Sequence, residues 1–331
     1  MTRAYNTATT QQNSGGAVAG FTAGKNKIIN GDFEIWQRGT SFSTGNTYSA
    51  DRWVVNSNAT FTASRQTFTP GTAPVAGYEG EYFFRFDKSA GGSYGIVAQR
   101  IEDVRSFAGQ TVTISFWAKV GSGTLTLNPY VDQNFGTGGS TTAGNTTDTV
   151  TVNTSWTRYT IQYAVPSMSG KTIGTGSFVE FSIGRVITAS AYVLDLWGVQ
   201  VEAGSVATAF QTATGTLQGE LAACQRYYWR FTATGGGANY LCLGRTSSQV
   251  DVEIQHPVQM RRSPTDIEYG GTTDVSDINV AGYTVSTISF ANASVLFASI
   301  RANVTVAGLA QGKTYVFGVQ TGAYYGFSAE L

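Results

Sequence analysis

"TVTISFWAKV", residues 111–120, decides how the chain is read. Val112, Ile114, Phe116, Ala118 and Val120 fall on one side of an extended strand. Thr111, Thr113, Ser115, Trp117 and Lys119 fall on the other. Side chains alternate along a strand, so apolar groups at every second position mark one buried face. "EYFFRFDKS" (81–89), "TRYTIQYAV" (157–165), "SFVEFSIGRV" (177–186) and "AYVLDLWGVQVE" (191–202) repeat the pattern. Polar turns such as "GSG" (121–123) and "GTGGSTTAG" (136–144) separate them. Many short alternating strands predict a β-sandwich over residues 27–213.

One stretch breaks the pattern. In "GTLQGELAACQRYYWRFTATGGG" (215–237) the residues Leu217, Leu221, Cys224, Tyr228 and Phe231 follow a 4-3-4-3 spacing. That spacing makes an apolar seam on a helix. Thr216 suits the N-cap, and Glu220 places a negative charge near the positive end of the helix dipole. Two heptads are too short to stand alone, so the seam is expected to pack on a partner. Strands resume after the glycines, in "NYLCLGRT" (239–246), "SQVDVEIQHPVQM" (248–260), "SVLFASIRANVTV" (294–306) and "KTYVFGVQ" (313–320). The fold class is therefore all-β: a sandwich, a short linking helix with a Gly linker over 214–237, and a second antiparallel β domain over 238–331. Residues 1–26 have little periodicity and read as an arm.

Composition narrows the function. Charged residues are 13% of the 331-residue chain, about half the ~25% usual for soluble domains. The formal net charge is +0, which argues against wholesale binding to nucleic acid or anionic lipid. No apolar run approaches the length of a membrane span, and the first residues lack a signal-peptide core. A surface of hydroxyls and amides without a secretion route fits a bacteriophage protein released by lysis, or an ordinary cytoplasmic β protein. The two cysteines, Cys224 and Cys242, do not make a disulfide framework.

The motifs also carry a resemblance. "NKIINGDFEIWQRGTSF" (26–42), "YSADRW" (48–53), "VTISFWAKV" (112–120) and "LWGVQVEAGSVATAF" (196–210) occur in that order. The series resembles the carbohydrate-binding-like jelly-roll domain of bacteriophage tail-fibre and related virion proteins. "ELAACQRYYWRF" (220–231) with "HPVQMRRSPT" (256–265) is similar to the module that often follows it. The resemblance implies a virion fibre or spike protein, commonly a homotrimer, that contacts the host surface. It also implies that residues 1–26 attach the chain to other virion proteins, and that the protein reaches the particle from the host cytoplasm.

Candidate sites follow. Catalytic patterns are missing: there is one histidine, His256, and no nucleophile elbow, H-E-x-x-H or phosphate-binding loop. A non-enzymatic role is expected. Sugar binding needs an aromatic face beside polar partners. Trp117 lies opposite the core set of its strand, and "NPYVDQ" (128–133) supplies Tyr130, Asp132 and Gln133. The alternative places Trp117 under a loop or a neighbouring chain, while Trp36, Trp53 and Trp197 read as core or subunit contact. The jelly-roll resemblance implies a structural Ca2+ on Asp32, Glu34 and Asp195. Leu196 stands where a second acid is usual, and an alternative pairs Asp195 with an arginine such as Arg52. Arg261 and Arg262 read as a solvated strand end or a contact for acidic polysaccharide. The helix seam, Leu217 to Phe231, is the expected oligomerisation element. The expected function is adhesion to bacterial surface polysaccharide; the alternative is a purely structural tail or head component whose jelly roll makes only protein contacts.

Overall fold

The structure, a computed structural model, describes residues 24–75, 78–234, 237–277 and 280–331. Most of the expected attachment arm, residues 1–23, lies outside them. The chain forms two units. The first takes the chain up to Glu34, Ser43–Asn46 and Val55–Leu217; the second takes Ile35–Phe42, Thr47–Val54 and Gln218–Leu331. Among the described residues no helix is long and apolar enough to cross a membrane.

Strands dominate both units, as the period-two reading expects. Two short ones, β1 (Ser41–Phe42) and β2 (Thr47–Tyr48), precede β3 (Trp53–Ser57), β4 (Phe61–Thr67), β5 (Tyr82–Lys88) and β6 (Gly95–Glu102). Then come β7 (Thr111–Val120), β8 (Leu125–Leu127), β9 (Tyr130–Asn134), β10 (Ala143–Thr146) and β11 (Val150–Val152). β12 (Thr157–Ala164), β13 (Phe178–Ser182) and β14 (Tyr192–Ala203) follow before the helix.

The first unit is a jelly-roll β-sandwich. One sheet runs β4-β5-β14-β7-β12 and the other β10-β9-β13-β6-β3, with antiparallel pairing throughout the registers of β4, β5, β7, β9, β12, β13 and β14. In the first sheet the rows Phe84–Leu196–Ala118 and Ile161–Ile114–Val201 lie across adjacent strands. All six side chains are buried. Val97, Val131, Val179 and Phe181 of the other sheet are buried as well. Burial of such side chains contributes about 1.5–3 kcal/mol each.

The opposite face of β7 is not open. Trp117 pairs with Trp197 across β7 and β14 and is only 8% exposed. It packs in a second cluster with Phe68, Phe83 and Trp197, joined by Tyr78, Trp156 and Phe210. The chain after β14 builds this cover. Glu202 accepts hydrogen bonds from the Thr208 amide at 2.6 Å and its hydroxyl at 2.8 Å, and Gln200 accepts one from the Gln211 amide at 3.0 Å. The segment thus folds back and delivers Phe210. A bulge between Trp197 and Gln200 contains Gly198 at φ 62°. A Cβ there would come within 2.7 Å of the Trp117 ring, so both the backbone and the packing require glycine. Trp117 is therefore no solvent-facing platform. Alternation identified its face correctly, but a later segment covers that face. Trp53 and Trp197 are fully buried and Trp36 nearly so, as core residues.

In the second unit the helix α1 (Leu217–Gln225) leads into β15 (Tyr228–Thr232). The expected seam does not persist as a helix. Tyr228 and Phe231 lie on β15, which pairs with β23 (Tyr324–Ser328), and β23 pairs in turn with β18 (Asp266–Gly270). "YWRFT" fits a pleated strand because its aromatic and β-branched side chains pack well there. Cys224 and Tyr228 are 0% exposed in the chain, so neither is free to line an intermolecular axis; Leu217 and Leu221 are the exposed members of the seam. The remaining strands close a barrel. They are β16 (Ala238–Thr246), β17 (Gln249–Gln255), β19 (Thr273–Asp277), β20 (Val280–Ala293), β21 (Phe297–Val304) and β22 (Thr314–Val319), in the order β16-β17-β21-β20-β19-β22. Val250, Val252, Ile254, Ile300 and Phe317 are among its buried residues.

A buried polar network ties the early segment of the second unit to its last residues. Arg52, 1% exposed, pairs with Glu330 and stacks 3.5 Å above the Tyr227 ring. Arg38 lies 3.5 Å from the same carboxylate and 3.4 Å above the Tyr228 ring. Asp51 accepts hydrogen bonds from the Gln37 amide at 2.8 Å and from its side chain. Arg261 and Arg262 donate to the backbone carbonyl of Glu330, each at 3.2 Å, and Arg261 also donates to that of Ala329. Both are thus engaged by the last residues of the chain, with Arg261 half-buried and Arg262 exposed.

Candidate functional site

The outer face of the second sheet gathers the ring and acid expected from "NPYVDQ". β9 alternates, so Tyr130, Asp132 and Asn134 point to one side, half-buried, while Val131 and Gln133 point inward. Register extends the face. Asp132 lies opposite Glu180, and Glu180 opposite Arg100; Tyr130 lies opposite Ser182, and Asn134 opposite Phe178. Arg100 Nε donates to Glu180 Oε2 at 2.9 Å, and the Ser182 hydroxyl donates to Oε1 at 3.1 Å. Arg100 also sits 4.9 Å from the Phe178 ring, and Arg185 sits 5.1 Å from the Tyr130 ring. On the far side of β9, Asp132 pairs with Gly144. A Cβ at Gly144 would fall 1.9 Å from Asp132 Oδ1 and 2.6 Å from the Tyr130 hydroxyl. The missing side chain is what lets both groups lie over β10.

Electrostatics separate the two acids. Burial, then the charge of Glu180, push the Asp132 carboxyl above its usual range, with Arg185 opposing. Among the described residues no protein group donates a hydrogen bond to Asp132, whereas Glu180 is held by Arg100 and Ser182. The face thus offers two rings, an acceptor open to a ligand hydroxyl, and a guanidinium–carboxylate pair. Glu180 is one of several carboxylates that the sequence alone cannot pair, and Arg100, Phe178 and Arg185 carry no sequence signal as site residues. The alternation of "SFVEFSIGRV" places Phe178, Glu180 and Ser182 on one side, but the pairing that sets Glu180 beside Asp132 joins residues far apart in the chain.

The other expected residues lie elsewhere. Trp117 sits in the aromatic cluster of the first sheet, with Arg158 4.7 Å above its ring. Gln133 is 1% exposed and donates to the Pro166 carbonyl at 3.1 Å. The acids expected to bind Ca2+ have protein partners. Asp195 forms a two-pronged pair with Arg85 at 2.7 and 2.8 Å, with Lys119 at 3.7 Å. Tyr78 donates to Asp32 at 2.7 Å. Glu34 accepts from the amides of Glu81 at 2.8 Å and Tyr82 at 3.3 Å. Among the described residues no three His, Cys, Asp or Glu side chains group as a metal site. A carboxylate already paired with two cations fits a calcium ligand poorly.

Glu34 has a consequence of its own. Burial raises its carboxyl to about 7, against the lowering effect of the two amides. The folded state therefore binds more protons than the unfolded one between the ordinary glutamate range and about 7. In that window stability falls as pH rises; below it the penalty vanishes. Glu34→Gln is expected to flatten this slope, checked by urea midpoints across pH 4 to 8, roughly the span between the two pKa values. An unchanged slope in the variant would place the titration on another group.

No family model matches the chain, and no curated protein matches it. Solved structures do show likeness. The CBM22-1 xylan-binding domain from Paenibacillus barcinonensis Xyn10C aligns at 15% identity and TM-score 0.35, over 56% of this chain and 99% of that one. The C-terminal family 22 carbohydrate binding module of Clostridium thermocellum Xyn10B aligns at 15% identity and TM-score 0.36, over 57% and 100%. The enzymatically active domain of bacteriophage CBA120 tailspike protein 4 aligns at 15% identity and TM-score 0.35, over 54% of this chain but 22% of that one. At TM-scores this low, no argument about ligand or activity rests on them.

Proposed function

We propose that the protein is a non-enzymatic virion fibre or spike protein of bacteriophage that adheres to glycans of the host surface. The observation that carries the glycan reading is the outer face of the second sheet. Tyr130 and Phe178 stand there with Asp132, Glu180 and Arg100. A pyranose packs its C–H groups on a ring, while carboxylates and guanidinium groups bond its hydroxyls. The virion setting is supported by the ordered motifs from "NKIINGDFEIWQRGTSF" to "LWGVQVEAGSVATAF". Attachment through residues 1–26 and assembly as a homotrimer belong to the same proposal. Three equal weak sites would raise overall binding by about 10²–10⁴ through avidity.

Tyr130→Ala tests the reading. The ring is half-exposed on an outer face, so the fold is expected to survive. Affinity for a glycan that the wild type binds on an array is expected to fall by about 1–3 kcal/mol. A wild type that binds no glycan would leave the chain as a protein-contact module. Binding that ignores the substitution would move the site off this face.

A further inference from the structure

Lys88, the last residue of β5, is 0% exposed. Its ammonium lies among four backbone carbonyls, of Gly91 at 2.7 Å, Ser89 at 3.2 Å, Thr188 at 3.3 Å and Ser190 at 3.4 Å. Among the described residues no carboxylate pairs with it. The Tyr192 ring lies 5.8 Å away. A lysine is almost never fully buried without a partner, because removing its charge from water is costly. Here the hydrogen-bond compensation comes from carbonyl dipoles of two loops, one after β5 and one before β14, with the Tyr192 ring beside them.

The geometry points to a built cation site of the carbonyl type, which the chain fills with its own ammonium and which takes a free monovalent cation when that side chain is shortened. Uncharged carbonyl oxygens can replace the hydration shell of a large monovalent ion. The spacing selects the ion class: Ca2+ needs oxygens at about 2.3–2.6 Å and Mg2+ at about 2.0–2.1 Å, and both favour carboxylates. Four neutral oxygens at 2.7–3.4 Å fit ammonium or potassium. The cage also has a place in the surface. Thr188 and Ser190, whose carbonyls form half of it, line a cleft of about 970 Å³ at one end of the sandwich, together with Ser122, Thr124 and Asn128. The ammonium therefore fixes one wall of that cleft.

The test compares full-length wild type, Lys88→Ala and Lys88→Met by thermal unfolding in ammonium, potassium and choline chloride at equal ionic strength. Lys88→Ala opens the cage, and Lys88→Met fills it with an apolar chain. Both variants are expected to melt lower than wild type in choline. Ammonium or potassium is expected to raise the midpoint of Lys88→Ala alone, saturably, by roughly 2–8 °C. If Lys88→Ala does not fold in choline, the folded yield after refolding in each salt gives the same reading. Equal behaviour of Lys88→Ala in ammonium, potassium and choline overturns the site, as does an equal salt response in Lys88→Met. A Lys88→Met protein as stable as wild type shows that the carbonyls need no cation, and overturns it too.

Discussion

Glu330→Ala is expected to destabilise the second unit by about 3–5 kcal/mol, because it removes the carboxylate that pairs with one buried guanidinium and lies beside another. Arg52 is 1% exposed and pairs with Glu330. Arg38 leans on the same carboxylate, and Glu268, a half-exposed acid that also accepts from the Tyr228 hydroxyl, lies 3.7 Å from the Arg38 guanidinium. The Tyr227 face beneath Arg52 helps, but a cation–π contact contributes only about 0.5–2 kcal/mol. Replacing Arg52 and Glu330 together by methionine is expected to recover much of the loss, since an apolar pair carries no unpaired charge. Urea midpoints of the single and double variants check this. A loss below about 1 kcal/mol for Glu330→Ala would show that the pair behaves like an exposed one.

Trp197→Ala is the second large effect, at about 3–5 kcal/mol lost from the first unit. The indole is 0% exposed and sits among Phe210 at 5.0 Å, Tyr78 at 5.5 Å, Trp117 at 5.6 Å and Phe68 at 6.0 Å, measured between ring centroids. Gly80 backs it closely: a Cβ there would meet the indole nitrogen at 2.8 Å. Truncation leaves a void that these rings fill only in part. Near-UV circular dichroism is expected to weaken along with the denaturation midpoint, because the neighbouring rings lose their fixed packing. Preserved near-UV signal and a loss near 1 kcal/mol, the ordinary cost of a point substitution, would mean that the cluster is plastic.

These two sites show what could be read from the residues. The sandwich strands were legible because period two survives in any context where one face is buried. The side of β7 that carries Trp117 was legible too, as was the alternative that a loop covers it; that the cover is Phe210, far along the chain, was not. The helix was legible at its start, where Glu220 and the apolar spacing agree. It was read too far, because aromatics at 227–231 satisfy a helical seam and a strand alike, and only pairing with Tyr324–Ser328 decides between them. For Asp195, expected as a Ca2+ ligand, the alternative of an arginine partner holds with a different arginine: it is Arg85, directly across the β5–β14 ladder. Of the expected sugar site, Tyr130 and Asp132 share a face because they are two apart on one strand. Gln133, one residue on, had to face away.

The second unit draws on residues 35–42 and 47–54 and on residues 218–331, so it is built from chain made early and chain made late in synthesis. At ~5–20 residues per second, the ribosome takes roughly 15–60 s to pass from Arg52 to Glu330. During that interval Arg38, Asp51 and Arg52 must wait in water, and water is a good solvent for them. The pairs that Arg38 and Arg52 make with Glu330 can therefore close only after the last residues have been added.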